Sequence, residues 1–346
     1  MEILDAENII KQRDPFDALG VAASEWQQLQ LDLPVTDGPS EPHRFLNIIV
    51  TGMGGSALAA NFARDWLNLG IPFEVVKGYE LPNYVGSETL VIASSYSGNT
   101  EETLSALQFA IDHGAQIGVV ASGGKLIEAA KTAGKPFVQL PSGLQPRMGV
   151  LANFAALLNL LVAYNVCEQA RVDEFRDSAD WLHTAIDMWH QSVPFENNPA
   201  KQLAWACAGK SPVIYAGSQF RGVAYKWKIS FNENAKTVAW WNEYPEFNHN
   251  EFIGWTSHPI EKPYAVIDLR SSFDHSQVKK RFEISDRLLS GKRPKATEVE
   301  LQGDTVLRQM LWGSVLADFV SIYLAILNGV DPTKVDLIEK LKGELA

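Results

Sequence analysis

Short apolar runs alternate with helical patterns through the first half of the chain. Helical periodicity, with apolar residues three and four positions apart, is found at residues 57–69 and 100–113. Five apolar runs have the length of buried strands, at residues 45–50, 73–76, 89–93, 116–121 and 136–140. Strands that alternate with helices predict a parallel sheet covered by helices on both faces.

A second series of the same kind begins with a predicted strand at residues 211–217, which is followed by a turn of small residues and a helix. A strand at 264–269 echoes the one at 89–93. A strand at 297–301 with helix 306–328 echoes the run at 136–140 with its apolar helix at 148–166. These echoes favour an internal duplication, with chance similarity between two generic units as the alternative. The predicted fold class is α/β, with two doubly wound parallel sheets.

The chain of 346 residues is long enough for two domains of ordinary size. Residues 1–30 and 173–202 have mainly helical patterns outside the two predicted sheets. We therefore predict a helical arm at 1–35, a first domain at 36–165, a helical linker at 166–203 and a second domain at 204–346.

The balance of charge restricts the possible partners. Lys and Arg number 30 against 41 Asp and Glu, a formal net charge of -11. This balance argues against non-specific binding of nucleic acid and against adhesion to anionic membranes. The N-terminus lacks a targeting pattern, and no run of about 18 uninterrupted apolar residues predicts a membrane span. We expect a cytoplasmic protein, in which an anionic substrate would need a local site such as a helix N-terminus.

The two cysteines, Cys167 and Cys207, have neither CxxC spacing nor a neighbouring histidine cluster. The sequence therefore predicts no disulfide framework and no metal site.

The segment SSYSGNT at residues 94–100 follows a predicted strand and opens a helix. Ser95, Ser97 and Thr100 offer three hydroxyl donors, and Gly98 permits a tight turn. The simpler alternative is that Thr100 is only a helix cap, which would need one hydroxyl. We predict a phosphate site formed by Ser95, Tyr96, Ser97, Gly98, Asn99 and Thr100.

A second glycine-rich turn, TGMGGSA at residues 51–57, raises the alternative of a nicotinamide-binding fold. Gly52, Gly54 and Ala57 fit the dinucleotide pattern. That fold also needs an acid at the end of the next strand, whereas Glu74 lies inside its predicted strand. We expect this turn instead to bring backbone close to a sugar and to provide one hydroxyl contact, through Gly54, Gly55 and Ser56.

Six motifs occur in order along the chain: GMGGSA at 52–57, SYSGNTEET at 95–103, QPRMG at 145–149, FNENAK at 231–236, PEFNHNE at 245–251 and IEKLK at 338–342. Together they resemble the bifunctional phosphoglucose/phosphomannose isomerases, which are built from two sugar-isomerase (SIS) domains. The resemblance covers nearly the whole chain. It implies interconversion of glucose or mannose 6-phosphate with fructose 6-phosphate, as in glycolysis and gluconeogenesis, by a homodimer without a metal or redox cofactor.

The same resemblance implies a role for four residues. Glu233 matches the catalytic base, and Arg147 matches the residue that stabilises the enediolate. His249, reaching the neighbouring subunit's site, and Lys342 match the residues that open the sugar ring. Lys340 is an alternative to Lys342, because it lies two positions away.

Each role has an ordinary alternative: a solvated carboxylate for Glu233, a surface ion pair for Arg147 and a core histidine for His249. Ala57 and Met148 depart from the residues expected in many relatives, which leaves the preference between the two epimers open. Two other functions also remain open. A sugar-phosphate-binding regulatory module would keep only the phosphate loop, and a related isomerase would act on another sugar phosphate, such as an amino sugar.

Overall fold

The computed structural model describes residues 2–39, 41, 43–257 and 263–345. Contacts divide the chain into two compact units, each with its own sheet. The first unit runs from Glu25 to Trp181, and the second combines residues up to Ser24 with residues from Leu182 onward.

The sheet of the first unit is parallel throughout, with the strand order β2-β1-β3-β4-β5. All five predicted strands are present. The central strand β3 is buried along its whole length, as expected for a continuous apolar run in a parallel sheet. The strands are β1 (Asn47–Thr51), β2 (Phe73–Val76), β3 (Thr89–Ser94), β4 (Gln116–Ala121) and β5 (Phe137–Gln139).

The second sheet is also parallel, with the order β7-β6-β8-β9. Its strands are β6 (Ser211–Gly217), β7 (Trp240–Tyr244), β8 (Tyr264–Arg270) and β9 (Thr297–Glu300). The order of β6 to β8 repeats that of β1 to β3, which confirms the two-sheet α/β class. However, β9 takes the place beside β8 that β4, not β5, takes beside β3. The predicted correspondence between residues 297–301 and 136–140 is therefore wrong by one strand, since β9 corresponds in position to β4 and not to β5.

The helices cover the sheets and form the remaining core. They are α1 (Glu7–Arg13), α2 (Ala18–Ala23), α3 (Gly54–Leu67), α4 (Glu101–Asp112), α5 (Gly124–Ala133), α6 (Val150–Ala163), α7 (Gln169–Asp177), α8 (Ala179–Asp187), α9 (Pro199–Cys207), α10 (Arg221–Glu233), α11 (Glu251–Gly254), α12 (Ser276–Leu288), α13 (Val306–Asn328) and α14 (Asp336–Leu345). The 3-10 helices are Glu2–Leu4, Glu25–Gln30, Pro146–Met148, Phe195–Asn197, Ser218–Phe220 and Glu246–His249.

The predicted helices at residues 1–30 and 173–202 are each broken into shorter pieces. Pro15 disfavours helical backbone at Asp14, so α1 ends there, and the carboxylate of Asp14 accepts the N–H groups of Ala18 and Leu19 at 2.8 and 2.9 Å. In the second stretch, Asn198 caps the separate helix α9. The elements β7, α5 and α12 were not predicted.

The first 24 residues pack within the second unit. Arg13 donates to the carbonyl of Ile326 at 2.5 Å, near the C-terminal end of α13, where a cation is favourable. Asp5 pairs with the buried ammonium of Lys201 at 2.8 Å. The boundaries of the two units differ from those of the four predicted segments. The segment boundaries stay a prediction.

Helix α13 is long and apolar enough to cross a membrane by length and composition. However, 89% of its apolar window is buried inside the structure, as in the core helix of a globular domain. It packs against α9 and α10. A buried ion pair at 2.7 Å, between Lys226 of α10 and Asp318 of α13, adds a specific contact to this packing.

Candidate active site

The predicted phosphate site lies at the carboxyl edge of the first sheet, between β1 and β3. The chain passes from β1 to β2 on one side and to β3 on the other, so the strand order reverses here. Open parallel sheets bind ligands at such a crevice. A Cβ atom on Gly52 would lie 2.6 Å from the carbonyl oxygen of Ser94, so glycine is needed for this close approach.

The geometry of β2 disfavours the nicotinamide alternative. Glu74 lies within β2, beside Ile49, and its carboxylate accepts a hydrogen bond from the hydroxyl of Tyr84. Burial, together with the charge of Glu74, raises the pKa of Tyr84 to about 12. The strand thus provides no acid at its end for a ribose, as the dinucleotide fold requires.

Three hydroxyls converge at the start of α4. Ser95 Oγ lies 2.7 Å from Thr100 Oγ1 and 3.5 Å from Ser97 Oγ. Thr100 is the N-cap residue, yet its side chain makes no capping hydrogen bond, so capping alone does not explain it. The N–H groups of Gly98 and Asn99 donate to Ser95 Oγ and Ser97 Oγ at 3.2 and 3.3 Å. Hydroxyls beside the free N–H groups of a helix start are suited to an anion.

The loop is braced by the segment that opens α5. Gly98 has a φ of +70°, and a Cβ atom there would lie 1.8 Å from the carbonyl oxygen of Gly123. The N–H of Leu126 donates to the carbonyl of Gly98, and that of Lys125 donates to Asn99 Oδ1, both at 3.0 Å. The side-chain oxygen of Asn99 therefore holds the shape of the loop.

The glycine-rich turn at the start of α3 contacts the serine-rich loop through Ser56. Ser56 Oγ accepts hydrogen bonds from the N–H of Tyr96 at 3.2 Å and from Asn153 Nδ2 at 3.3 Å. Gly54 has a φ of +51°, which favours glycine. A Cβ atom on Gly55 would lie 2.4 Å from the carbonyl oxygen of Pro146, so this glycine lets the turn that carries Arg147 approach α3.

Tyr96 fastens the same turn from the other side. Its hydroxyl donates to the carbonyl of Pro141 at 2.8 Å and accepts the N–H of Leu144 at 3.0 Å. Its ring lies against Gly149, where a Cβ atom would be 2.9 Å from the ring. The hydroxyl of Tyr96 is thus engaged with the 141–149 segment, and a contact between Tyr96 and the substrate stays a prediction.

Arg147 is buried, and its Nη1 donates to Gln145 Oε1 at 3.3 Å. The turn is held by Gln28, which donates to the carbonyl of Met148 at 2.7 Å and accepts the N–H of Ala152 at 2.9 Å. Sequence reasoning missed Gln28, because nothing nearby in sequence marks it as a partner of residues 120 positions away.

Asn153 was also missed, although the sequence contains a signal for it. Asn153 and Asn159 are the two amide side chains in the otherwise apolar sequence of α6. A buried amide in such a helix must have hydrogen-bond partners, so its presence indicates a specific polar contact.

The corresponding edge of the second sheet carries a carboxylate in addition to hydroxyl groups, whereas the site at the edge of the first sheet is formed by hydroxyl groups. A Cβ atom on Gly217, at the end of β6, would lie 2.0 Å from Asp274 Oδ1, and Asp274 Oδ2 accepts the N–H of Ser271 at 3.0 Å. Burial raises the pKa of Asp274 to about 6. A carboxylate repels phosphate, which favours the first sheet as the phosphate site.

Glu233 is the last residue of α10 and is half-buried. Burial, and then the negative charge of Glu233, raises the pKa of Tyr225. Helix α10 is fixed to α13 because Ser230 Oγ donates to Asp318 Oδ1 and Asn234 Nδ2 donates to Ser321 Oγ, both at 2.9 Å. The end of α10 is therefore a rigid position for a carboxylate.

His249 is exposed, whereas its neighbours are anchored. Phe247 is fully buried. Asn248 donates to Ser285 Oγ at 2.9 Å, and the carboxylate of Glu251 accepts hydrogen bonds from Tyr215 and, at 2.8 Å, from the side chain of Asn242. A core histidine is thus excluded, and the imidazole is held outward by a fixed segment.

Lys342 is exposed on α14, and its ammonium donates to Glu339 at 2.8 Å. Lys340, on the same helix, lies 3.8 Å from Glu344. Both lysines are exposed and ion-paired, so the choice of Lys342 stays a prediction.

The predicted residues fall into two groups. Those from Gly54 to Arg147 form one connected cluster in the first unit. Glu233, His249 and Lys342 belong to the second unit, on three different elements. Within the residues that the structure describes, no group of three or more His, Cys, Asp or Glu side chains is placed to hold a metal ion.

Comparison with known proteins finds a family model in each half of the chain. Residues 45–131 match the SIS domain, and residues 196–345 match the bacterial phospho-glucose isomerase C-terminal SIS domain. A glucose-6-phosphate isomerase like protein from Thermus thermophilus has the same fold, with a TM-score of 0.67, 19% identity and 98% of both chains covered.

Two sequence relatives carry the same name, bifunctional phosphoglucose/phosphomannose isomerase. The protein of Caldicellulosiruptor bescii is 39% identical over 303 residues, which cover 86% of this chain and 89% of that protein. The protein of Aquifex aeolicus is 34% identical over 324 residues, which cover 93% and 94%. The chain therefore belongs to the family of bifunctional phosphoglucose/phosphomannose isomerases.

Proposed function

We propose that this isomerase interconverts glucose 6-phosphate and mannose 6-phosphate with fructose 6-phosphate in the cytoplasm. The observation that carries the proposal is the cradle of Ser95, Ser97 and Thr100 at the start of α4, where the Thr100 hydroxyl faces Ser95 instead of capping the helix. Such a cradle suits the phosphate of a sugar. The family to which the chain belongs supports the chemistry at the other end of that sugar.

Proton transfer between C1 and C2 needs one base, and we assign it to Glu233. In the open aldose the carboxylate takes the C2 proton, the electrons of the C–H bond form the C1–C2 double bond, and O1 becomes negatively charged. The O2 proton then passes to O1, and Glu233 returns its proton to C1, which leaves the ketose carbonyl at C2. A carboxylate suits this role because it can both accept and return the proton.

The enediolate carries its negative charge on oxygen, and we assign its stabilisation to Arg147. Its guanidinium is held in a turn that Gln28 and Tyr96 fasten on two sides. A cation that is already in position gains more from the developing charge than one that must reorient.

Hexose phosphates are mainly closed rings, so a proton donor and a proton acceptor must first open the hemiacetal. We assign this step to His249 and Lys342. Glucose and mannose phosphates lose their difference at C2 in the shared enediol, so use of both depends on the room around C2. We assign the control of this room to Met148 and Ala57, which are both buried and directly follow Arg147 and Ser56 in the chain.

A coupled assay that follows fructose 6-phosphate separately to glucose 6-phosphate and to mannose 6-phosphate, with EDTA present, tests the proposal. We expect both products. Formation of one product would restrict the function to that sugar. Sugar-phosphate binding without either product would overturn the isomerase and favour the regulatory module.

We further propose a homodimer in which His249 completes the partner's site, since an exposed imidazole on an anchored segment is suited to contact a second chain.

Co-expressed Glu233→Gln and His249→Gln chains are then expected to recover about a quarter of wild-type activity, because half of the dimers are hybrids with one intact site. Activity is measured on the mixed population, and dimers purified with one tag on each chain should then reach about half of wild-type activity. Hybrids no more active than the parent variants would place His249 in the site of its own chain.

A further inference from the structure

A buried polar cluster joins α6 to the two loops of the phosphate site. Asn153, Ser56 and Ser94 are 2%, 3% and 1% exposed. Ser94 Oγ lies 3.1 Å from both Oδ1 and Nδ2 of Asn153, and Nδ2 also lies 3.3 Å from Ser56 Oγ. Asn153 is 97 positions from Ser56 and belongs to none of the sequence motifs.

The hydrogen bonds of this cluster fix the direction of one hydroxyl. A serine hydroxyl has two acceptor lone pairs and one donor hydrogen. At Ser56 both lone pairs face N–H donors, the backbone of Tyr96 and the amide of Asn153, and neither donor can accept in return. The Ser56 O–H must therefore point in the one remaining direction. The hydroxyl of Ser94 donates to Asn153 Oδ1, which keeps Nδ2 directed to Ser56.

We propose that Asn153 is a positioning residue that orients the Ser56 hydroxyl to donate to the bound hexose 6-phosphate. This inference rests on the proposed function, because it takes the hexose phosphate as the ligand. A donor that is already oriented binds without losing rotational freedom on association. Without the Asn153 amide, the Ser56 hydroxyl loses one of its two N–H donors and can rotate, so its hydrogen is no longer held toward the ligand.

The first test is Asn153→Leu, which keeps the approximate volume and removes the amide. We expect KM for fructose 6-phosphate to rise about fivefold, the effect of one ordinary hydrogen bond, with kcat changed less than about twofold. The matched control is Asn159→Leu on the same helix, where Asn159 donates to the carbonyl of Leu33 at 2.7 Å. Thermal unfolding should show that both variants are destabilised. Steady-state kinetics should show a raised KM in Asn153→Leu and an unchanged KM in Asn159→Leu.

The second test is a double-mutant cycle with Ser56→Ala, since interacting residues give non-additive effects. Asn153→Leu should raise KM by less than about 1.5-fold when Ser56 is already alanine. A full fivefold rise in that background would overturn the positioning role while leaving the substrate contact of Ser56 intact. An unchanged KM in Ser56→Ala alone would remove the Ser56 contact and the inference together, whereas the wild-type product assay tests the isomerase separately.

If Asn153→Leu does not fold, Asn153→Asp provides the same test with the original shape. A carboxylate only accepts hydrogen bonds, so the Ser56 hydroxyl should turn toward it, away from the ligand. KM should therefore rise at least fivefold, as in the leucine variant. An unchanged KM in Asn153→Asp would overturn the proposal.

Discussion

Replacement of Glu233 by Gln is expected to lower kcat for fructose 6-phosphate by about 10³- to 10⁴-fold, at the upper end of what a general base contributes. The amide has the shape of the carboxylate but cannot take the carbon-bound proton. Because the phosphate cradle belongs to other residues, affinity for the sugar phosphate should stay within about tenfold. Coupled assays give kcat, and calorimetric titration of the inactive variant gives the affinity.

Solvent exchange makes this test specific to the proton-transfer step. In deuterated water the wild-type enzyme should place deuterium on C1 or C2 of the recovered sugar phosphate, and Glu233→Gln should lose this exchange together with turnover. Glu283→Gln, on the exposed face of α12, is the control and should behave as the wild type. Retained turnover in Glu233→Gln would remove Glu233 from the mechanism.

Replacement of Arg147 by Lys is expected to lower kcat by about 10²- to 10³-fold, the range found when one preorganised oxyanion donor is removed. Lysine keeps the positive charge but loses the planar fork that can contact two oxygens at once. If Arg147 acts mainly on the enediolate, KM should change little, since the charge develops only after substrate has bound. Steady-state kinetics with glucose 6-phosphate and with mannose 6-phosphate measure kcat and KM.

The control for Arg147→Lys is Arg64→Lys in the same unit. Arg64 belongs to α3 and pairs with Asp65 at 2.8 Å, so its replacement alters an ion pair away from the proposed chemistry. We expect wild-type kinetics for the control. A larger KM with unchanged kcat in Arg147→Lys would instead assign Arg147 to ground-state binding of the substrate.

Features that depend on neighbours in sequence gave the clearest predictions. The continuous apolar run of β3 indicated a buried parallel strand, because such a strand is covered on both faces. The cluster of Ser95, Ser97 and Thr100 directly after it indicated an anion site, because a strand end and a helix start bring hydroxyls and free N–H groups together. Strand, loop and helix are adjacent in the chain, so their residues also meet in space.

The edge strand β7 was missed for a physical reason. Its residues Trp240 to Tyr244 are mostly half-buried, and they alternate neither in polarity nor in size. Edge strands meet fewer packing constraints than central strands, so their sequences carry a weaker pattern. The place of β9 beside β8 was likewise undetermined, since periodicity identifies a strand but not its neighbour in the sheet.

The sequence by itself determined the class of fold and, through six motifs, the family, and it predicted the serine-rich loop as a phosphate site. Only the tertiary structure decided which residues hold that loop in shape: Gln28 on the Arg147 turn, Tyr96 on the 141–149 segment and Asn153 on Ser56. These contacts join residues 45 to 120 positions apart. A buried amide or hydroxyl needs a hydrogen-bond partner. Which partner it meets depends on how strands and helices pack, and the local sequence does not determine that packing.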